Sequence, residues 1–363
     1  MTGVYIHIPF CRRKCPYCDF YSIGYSNEKA DNYIENVCRA VGYFSEKIGT
    51  KADTLYFGGG TPSIIGAERL CKIVGAAGEK FGFAENVEIT VEVNPEKEDT
   101  DFEKMRKGGI NRVSIGLQSA DDRELQLLGR LHNVKQAERC IEKAKSAGFA
   151  NISLDLMIAT PEQTKNSLEK SIEFCAKRDV QHISAYILKI EQGTPYHKMR
   201  EKLNICSDDE QAEMYLLAVE KLKEYGYEQY EISNFCKKGF ESRHNLKYWH
   251  DEEYIGIGPS AHSFVNGKRF YFDRSFEDFC KLKTIPDGEG GSAEEFAMLA
   301  LRLTEGLTEE RFQKRFREKI PEVYRQNAEK FVKHGFLQLD ENGIRLTSKG
   351  FLLSNYIISE ILG

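Results

Sequence analysis

Short runs rich in β-branched and aromatic residues alternate with longer amphipathic stretches through the first half of the chain. The β-rich runs lie at residues 4–8, 54–57, 87–93, 112–117, 153–157 and 182–188, which predicts six strands. Between them, apolar residues recur at three- and four-residue spacing over 29–44, 67–81, 134–147 and 164–178, which predicts helices, and Gly148 closes the third. This repetition is the pattern of βαβ units and a parallel sheet. Six units fit either an open doubly wound sheet or a partial barrel, and the pattern does not choose between them.

Around residues 285–291 the run Ile-Pro-Asp-Gly-Glu-Gly-Gly breaks the pattern and predicts a glycine-rich linker. Beyond it, helices are expected at 294–303, 309–318 and 323–334. A hairpin is expected from 337–339 and 343–346 around Asp340-Glu341-Asn342-Gly343. Three helices and a two-stranded wing read as a winged-helix-like module. Arg311, Lys314, Arg315, Arg317 and Lys319 make its second helix basic, but Phe312, Phe316 and Ile320 alternate with them at helical spacing. The charges therefore read as a solvated face, and the module as a docking or lid element rather than a nucleic-acid binder.

With 363 residues and 41% hydrophobic content the chain can bury a large core. A net charge of -5 argues against a general nucleic-acid binder. No secretory signal is read at the amino terminus and no apolar run is long enough to span a bilayer, so a cytoplasmic location is expected. In that compartment the ten cysteines are expected to be thiols. Seven of them, Cys38, Cys71, Cys140, Cys175, Cys206, Cys236 and Cys280, are scattered singly and read as small packing residues.

Cys11, Cys15 and Cys18 are different, because they stand together as C-x3-C-x2-C. A cubane iron–sulfur cluster used only for electron transfer takes four thiolates, so three leave one iron open to a chelating ligand. A structural zinc site is the alternative, but it needs a fourth ligand. No second C-x2-C pair occurs, and His7, if it lies on a strand, is expected to point away from the loop. The loop follows the first strand, and Gly58-Gly59-Gly60-Thr61-Pro62 follows the second. Glu92 and Asn94 end the third, Gln118 ends the fourth, and Asp155 lies in the fifth. Strand carboxyl ends are the edge where parallel α/β folds assemble their sites, so these residues outline one polar pocket.

These motifs resemble those of the radical S-adenosylmethionine enzymes, and within them the oxygen-independent coproporphyrinogen III oxidase group. The resemblance runs through Tyr5-Ile6-His7-Ile8-Pro9-Phe10-Cys11, Tyr56 to Ser63, Glu92-Val93-Asn94-Pro95, Arg112 to Ser119 and Leu128-Gly129-Arg130. It implies an α/β fold, a partial (β/α)6 TIM-like barrel of the radical SAM type, with the small winged-helix-like domain at the carboxyl end. The expected division is 1–205 for the barrel, 206–290 for a family-specific extension and 291–363 for the last domain. It also implies a 4Fe-4S cluster on Cys11, Cys15 and Cys18. S-adenosylmethionine is implied on the open iron, its one-electron cleavage giving methionine and a 5'-deoxyadenosyl radical. By the same resemblance Tyr5, Gly59, Gly60, Thr61, Glu92, Gln118, Arg130 and Asp155 contact that cofactor. An electron donor for the cluster is a further implied partner.

The coproporphyrinogen oxidases carry another cysteine two positions after the third, where this chain has Phe20. That departure resembles the haem chaperone branch, which implies haem as a further ligand and haem-accepting proteins as partners, and leaves propionate decarboxylation as the second reading. Arg243-His244-Asn245-Leu246-Lys247-Tyr248-Trp249 is similar to the H-N-x-x-Y-W motif of that branch. It implies His244 as a haem-iron ligand, with Tyr248 and Trp249 as aromatic surface for the porphyrin. His262 is a reserve candidate, and the glycines of Tyr254-Ile255-Gly256-Ile257-Gly258 are expected to let backbone approach a flat ligand. No nucleic-acid partner is expected. Peripheral contact with a membrane is allowed, a spanning segment is not.

Overall fold

A computed structural model describes residues 1–96 and 99–363. The six expected strands form as β1 (Thr2–Ile8), β2 (Ala52–Gly59), β3 (Phe83–Val93), β4 (Arg112–Gln118), β5 (Ile152–Ile158) and β6 (His182–Ile187). They pair in parallel in chain order. The four expected helices are α1 (Asn27–Ile48), α2 (Ala67–Phe81), α3 (Val134–Ser146) and α4 (Lys165–Lys177). Each helix start of α1, α3 and α4 is fixed by its own sequence. Ser26 caps α1, and Asn133 with Gln136 and Thr164 with Ser167 form reciprocal capping boxes.

The strands are two-faced. Val4, Ile6, Ile8, Leu55, Phe57, Val91, Val113 and Ile115 are buried in one apolar cluster with Ile34, Val37 and Ile73 of the helices. Transfer of that surface from water drives the assembly. The alternate positions are polar and meet across the ladder, Tyr5 beside Tyr56, Tyr56 beside Thr90, Glu92 beside Ser114 and Asp155 beside Ser184. Period-2 alternation thus gives one face to the helices and the other to a polar interior.

The sheet goes further than expected. β7 (Glu228–Gln229) and β8 (Asn234–Cys236) add to the β6 edge. At the other edge, β9 (Tyr254–Ile257) lies parallel to β1 as a seventh parallel strand, followed by antiparallel β10 (His262–Val265), β11 (Lys268–Phe272) and β12 (Thr284–Glu289). The order β12-β11-β10-β9-β1-β2-β3-β4-β5-β6-β8-β7 makes one twelve-stranded sheet whose two end strands do not pair with each other. Residues 206–290 therefore extend both edges of the barrel sheet.

Two expectations are corrected here. The stretch read as a linker is mostly β12, with Ile285 opposite Tyr271 and Glu289 opposite Lys268, and Pro286 is tolerated because the strand is an edge. The glycines of this stretch serve packing: a Cβ on Gly256 in β9 would collide with the His262 carbonyl, and one on Gly258, just past the strand, with the Tyr33 hydroxyl.

The carboxyl-terminal part holds α6 (Ala293–Ala300), α7 (Glu309–Phe316) and α8 (Glu322–Val332) near the expected places. Its wing has three strands, because β13 (Leu307–Thr308) joins β14 (Leu337–Asp340) and β15 (Gly343–Leu346) in the order β13-β15-β14. Helices Ser348–Leu352 and Ser354–Leu362 follow. On α7, Arg315 turns to Asp251 of the large sheet unit at 2.7 Å, so part of its basic face is a docking contact.

Candidate functional site

A cavity of about 770 Å³ opens at the carboxyl ends of the parallel strands, and residues from β2 through β6 line it together with the cysteine loop. The expected cluster and S-adenosylmethionine residues all line it except Tyr5; of the expected haem residues His262 lines it, and His244, Tyr248 and Trp249 do not.

The cysteine loop is held from both sides. Residues 10–11 pair with 23–24, and the Ile23 amide donates to the Pro9 carbonyl at 2.6 Å. The glycine turn holds the other side, Gly60 N–H donating to Ile8 O and Thr61 N–H to Phe10 O, both at 2.8 Å. Only glycine fits at position 60, since a Cβ would stand 2.7 Å from the Phe10 carbonyl. Gly59, at φ 110°, clears the His7 ring in the same way. His7 does not point away from this region: it faces the polar interior, where its Nε2 bonds the Tyr21 carbonyl at 2.9 Å.

Burial pushes the Cys11 and Cys18 thiols up, so a cation is needed to keep them as thiolates. Cys11 Sγ is 3.6 Å from Thr61 Oγ1, and Arg130 Nη1 donates to Cys15 Sγ at 3.7 Å. Among the described residues no three Cys, His, Asp or Glu side chains converge as the ligands of a single ion. A cubane binds each thiolate to a different iron, so its ligands stand further apart, and this donor set fits it.

Opposite the loop, the strand-end residues converge. Tyr56 donates to Glu92 Oε1 and Ser114 to Asp155 Oδ1, both at 3.0 Å. Burial, reinforced by the Asp155 charge, pushes the Glu92 carboxyl up to about 8, and burial pushes Asp155 up to about 6. Gln118 takes φ 70° where the ladder slips between Ile115 and Gln118. The irregularity turns its amide inward, and Tyr186 donates to its Oε1 at 3.0 Å. Arg130 Nη2 donates to Asn94 Oδ1 at 2.8 Å and to Gly116 O at 3.0 Å, while its Nε lacks a partner among the described residues. Carboxylates for an ammonium or ribose, a guanidinium for a carboxylate and glycine backbone for close approach suit an amino-acid nucleoside such as S-adenosylmethionine.

Tyr5 and His244 lie beneath the cavity. Tyr5 bonds His7 Nδ1 at 3.2 Å and stacks between Tyr56 and His244, with ring centroids 6.2 and 6.3 Å away. His244 belongs to α5 (Arg243–Trp249), which closes the amino-terminal end of the barrel. The amides of Arg243 and His244 donate to the Glu88 carboxylate of β3, capping the helix. The His244 ring is 1% exposed, with Nδ1 2.7 Å from Thr54 Oγ1 and Nε2 2.8 Å from the Tyr248 hydroxyl. Burial holds its pKa down at about 3, so the ring is neutral. Tyr248 is half-buried and packs at right angles to Tyr254, with ring centroids 4.6 Å apart, and Trp249 is half-buried too. His262 does reach the cavity, exposed and stacked on Tyr271.

Sequence reasoning missed Tyr56, Arg112, Ser114 and Asn245, which line the cavity. The strand alternation that brings Glu92 inward also brings Tyr56 and Ser114 inward, and that signal was available. Phe20 is 67% exposed at the cavity mouth.

The fold and this cavity define a radical SAM protein. The Radical SAM superfamily model matches residues 5–175 and the HemN C-terminal domain model matches residues 292–353. Over the full length of both chains, this one is 34% identical to heme chaperone HemW of Bacillus subtilis (strain 168). It is 33% identical to heme chaperone HemW of Lactococcus lactis subsp. lactis (strain IL1403), over 99% of this chain and 97% of the relative. Among solved structures, coproporphyrinogen III oxidase (HemN) from Escherichia coli superposes with a TM-score of 0.84 at 20% identity, covering 99% of this chain and 89% of that one, a likeness of fold. The chain belongs to the HemW family of radical SAM proteins.

Proposed function

We propose that this protein is a haem chaperone that binds haem and passes it to haem-accepting proteins in the cytoplasm. The observation that carries the reading is the full-length likeness to proteins named heme chaperone HemW. Phe20 supports it, since an exposed phenylalanine stands where the decarboxylases have a further thiol.

In this reading Cys11, Cys15 and Cys18 hold a 4Fe-4S cluster. Gly59, Gly60 and Thr61 supply backbone and hydroxyl contacts to S-adenosylmethionine, Glu92 and Asp155 accept from its amino or ribose groups, Gln118 orients it and Arg130 pairs with its carboxylate. Bound there, the cluster and S-adenosylmethionine together supply one-electron cleavage of a carbon–sulfur bond. Tyr5 acts from below by packing Tyr56, which holds Glu92. His244 is the haem-iron ligand of this reading, and with both nitrogens engaged it becomes available only when α5 leaves the barrel floor.

Anaerobic reconstitution followed by haemin titration tests the proposal, with the wild type and His244→Gln compared. A saturable Soret change in the wild type that is lost in the variant is expected. No saturable change removes the chaperone reading; an unchanged titration in the variant removes His244 as ligand. Propionate decarboxylation of coproporphyrinogen III is the second reading, and formation of protoporphyrinogen under the same anaerobic conditions would establish it.

A further inference from the structure

Arg112 opens β4 low in the barrel and lines the cavity from its floor, yet it is only 2% exposed. Its Nε finds no hydrogen-bond partner among the described residues, and none of their carboxylates forms an ion pair with the guanidinium. Burying an unpaired cation is costly, and a binding site tolerates one where the ligand brings the counterion.

The nearby acids offset that charge only from beyond ion-pair distance. Glu92 and Asp155 both feel the Arg112 charge, but Glu92 is held by Tyr56 and Asp155 by Ser114. With its pKa near 8, Glu92 is largely neutral at pH 7. Ser114 and Asn245 line the same cavity and add polar groups to it. Asp155, with its pKa at about 6, is mostly ionised at pH 7 and offsets the charge from a distance, but no described acid pairs with the guanidinium directly, and the guanidinium faces a cavity of about 770 Å³, ample for a ligand of drug size or larger.

We infer that Arg112 is a carboxylate anchor, its planar fork receiving an acid group of the ligand that enters the barrel. On the haem-chaperone reading, on which this rests, that group is a porphyrin propionate. A guanidinium fork matches a carboxylate in two parallel hydrogen bonds, which a lysine ammonium does not reproduce. Asn245 of α5 lines the same cavity, so a porphyrin edge held at Arg112 faces the helix that carries His244.

The test compares haemin with haemin dimethyl ester, whose propionates carry no charge, on the reconstituted full-length protein. The wild type is expected to bind haemin roughly ten- to hundredfold more tightly than the ester. Arg112→Gln is expected to erase that preference while keeping the affinity for the ester, and Arg112→Lys to keep only part of it. Thermal melting and cluster absorbance show whether each variant is folded and loaded. If Arg112→Gln does not fold, the wild-type ester comparison and the lysine variant still decide. Equal binding of acid and ester by the wild type, or an intact preference in either folded variant, overturns the anchor while leaving haem binding in place. Absence of saturable haemin binding by the wild type removes the chaperone reading and the anchor with it.

Discussion

Arg130 and Cys15 are 115 residues apart in the chain and 3.7 Å apart in space. The same guanidinium reaches Asn94 and the Gly116 carbonyl, so one side chain joins the cysteine loop to the ends of β3 and β4. Arg130→Met removes the donors of those acceptors and the cation beside the thiol. A loss of about 2–3 kcal/mol in urea-denaturation stability is expected. Faster decay of cluster absorbance after reconstitution should accompany it, with Arg130→Lys intermediate.

Glu92 sets a pH dependence. Its folded pKa of about 8 lies above the ordinary carboxylate range, so the folded state holds the proton more tightly than the unfolded chain does. Its contribution to stability is then full below the unfolded pKa and falls as pH rises through about 8. Glu92→Gln, which mimics the protonated acid, should flatten this slope in denaturation curves taken across that window. An α-ammonium loses its proton at about the pH where Glu92 ionises, so an ion pair between this carboxylate and the ammonium of S-adenosylmethionine should give a binding maximum near pH 8 in the wild type and none in the variant; calorimetric titration reads both.

His244 makes a third prediction. His244→Ala leaves the fully buried Thr54 hydroxyl and the Tyr248 hydroxyl without their partner and opens a void. A cost of about 2–4 kcal/mol is expected. If the ring ligates haem by leaving this seat, hydrogen exchange of residues 243–249 must rise on haem loading. Unchanged protection of that segment in the haem complex would show that the seat is kept and the iron is held elsewhere.

The contact between Asp251 and Arg315 fastens the carboxyl-terminal unit. The Asp251 carboxylate is fully buried, while Arg315 is about a third exposed and Arg269 stands 3.4 Å from the other oxygen. Arg315→Ala should therefore cost about 1–3 kcal/mol, less than breaking an isolated buried pair. Earlier thermal unfolding and faster proteolytic cleavage around residues 290–293 are the readouts.

The six parallel strands were legible because their outward positions are nearly all aliphatic, and a period-2 pattern survives any tertiary context. The edge strands were not. β12 carries Pro286 and Gly288, residues that read as a break, and its pairing depends on β11, which no local pattern announces. The cysteine loop and the strand-end carboxylates were legible from spacing. Arg112 was not, because a cation at the start of a strand looks like a surface residue until the curvature of the sheet encloses it. The seat of His244 was hidden for a related reason: the motif specifies a helix with a histidine, while Thr54 and Glu88, which receive it, lie more than 150 residues away.

The clamps on the cysteine loop have a consequence for assembly. Gly60 to Ile8 and Ile23 to Pro9 fix the chain before Cys11 and after Cys18 through backbone contacts alone. The ends of the loop are thus tied by the polypeptide itself, whereas small metal domains depend on the ion for their structure. On the cluster reading, a centre lost to oxygen would be rebuilt on a loop whose two ends the barrel still holds.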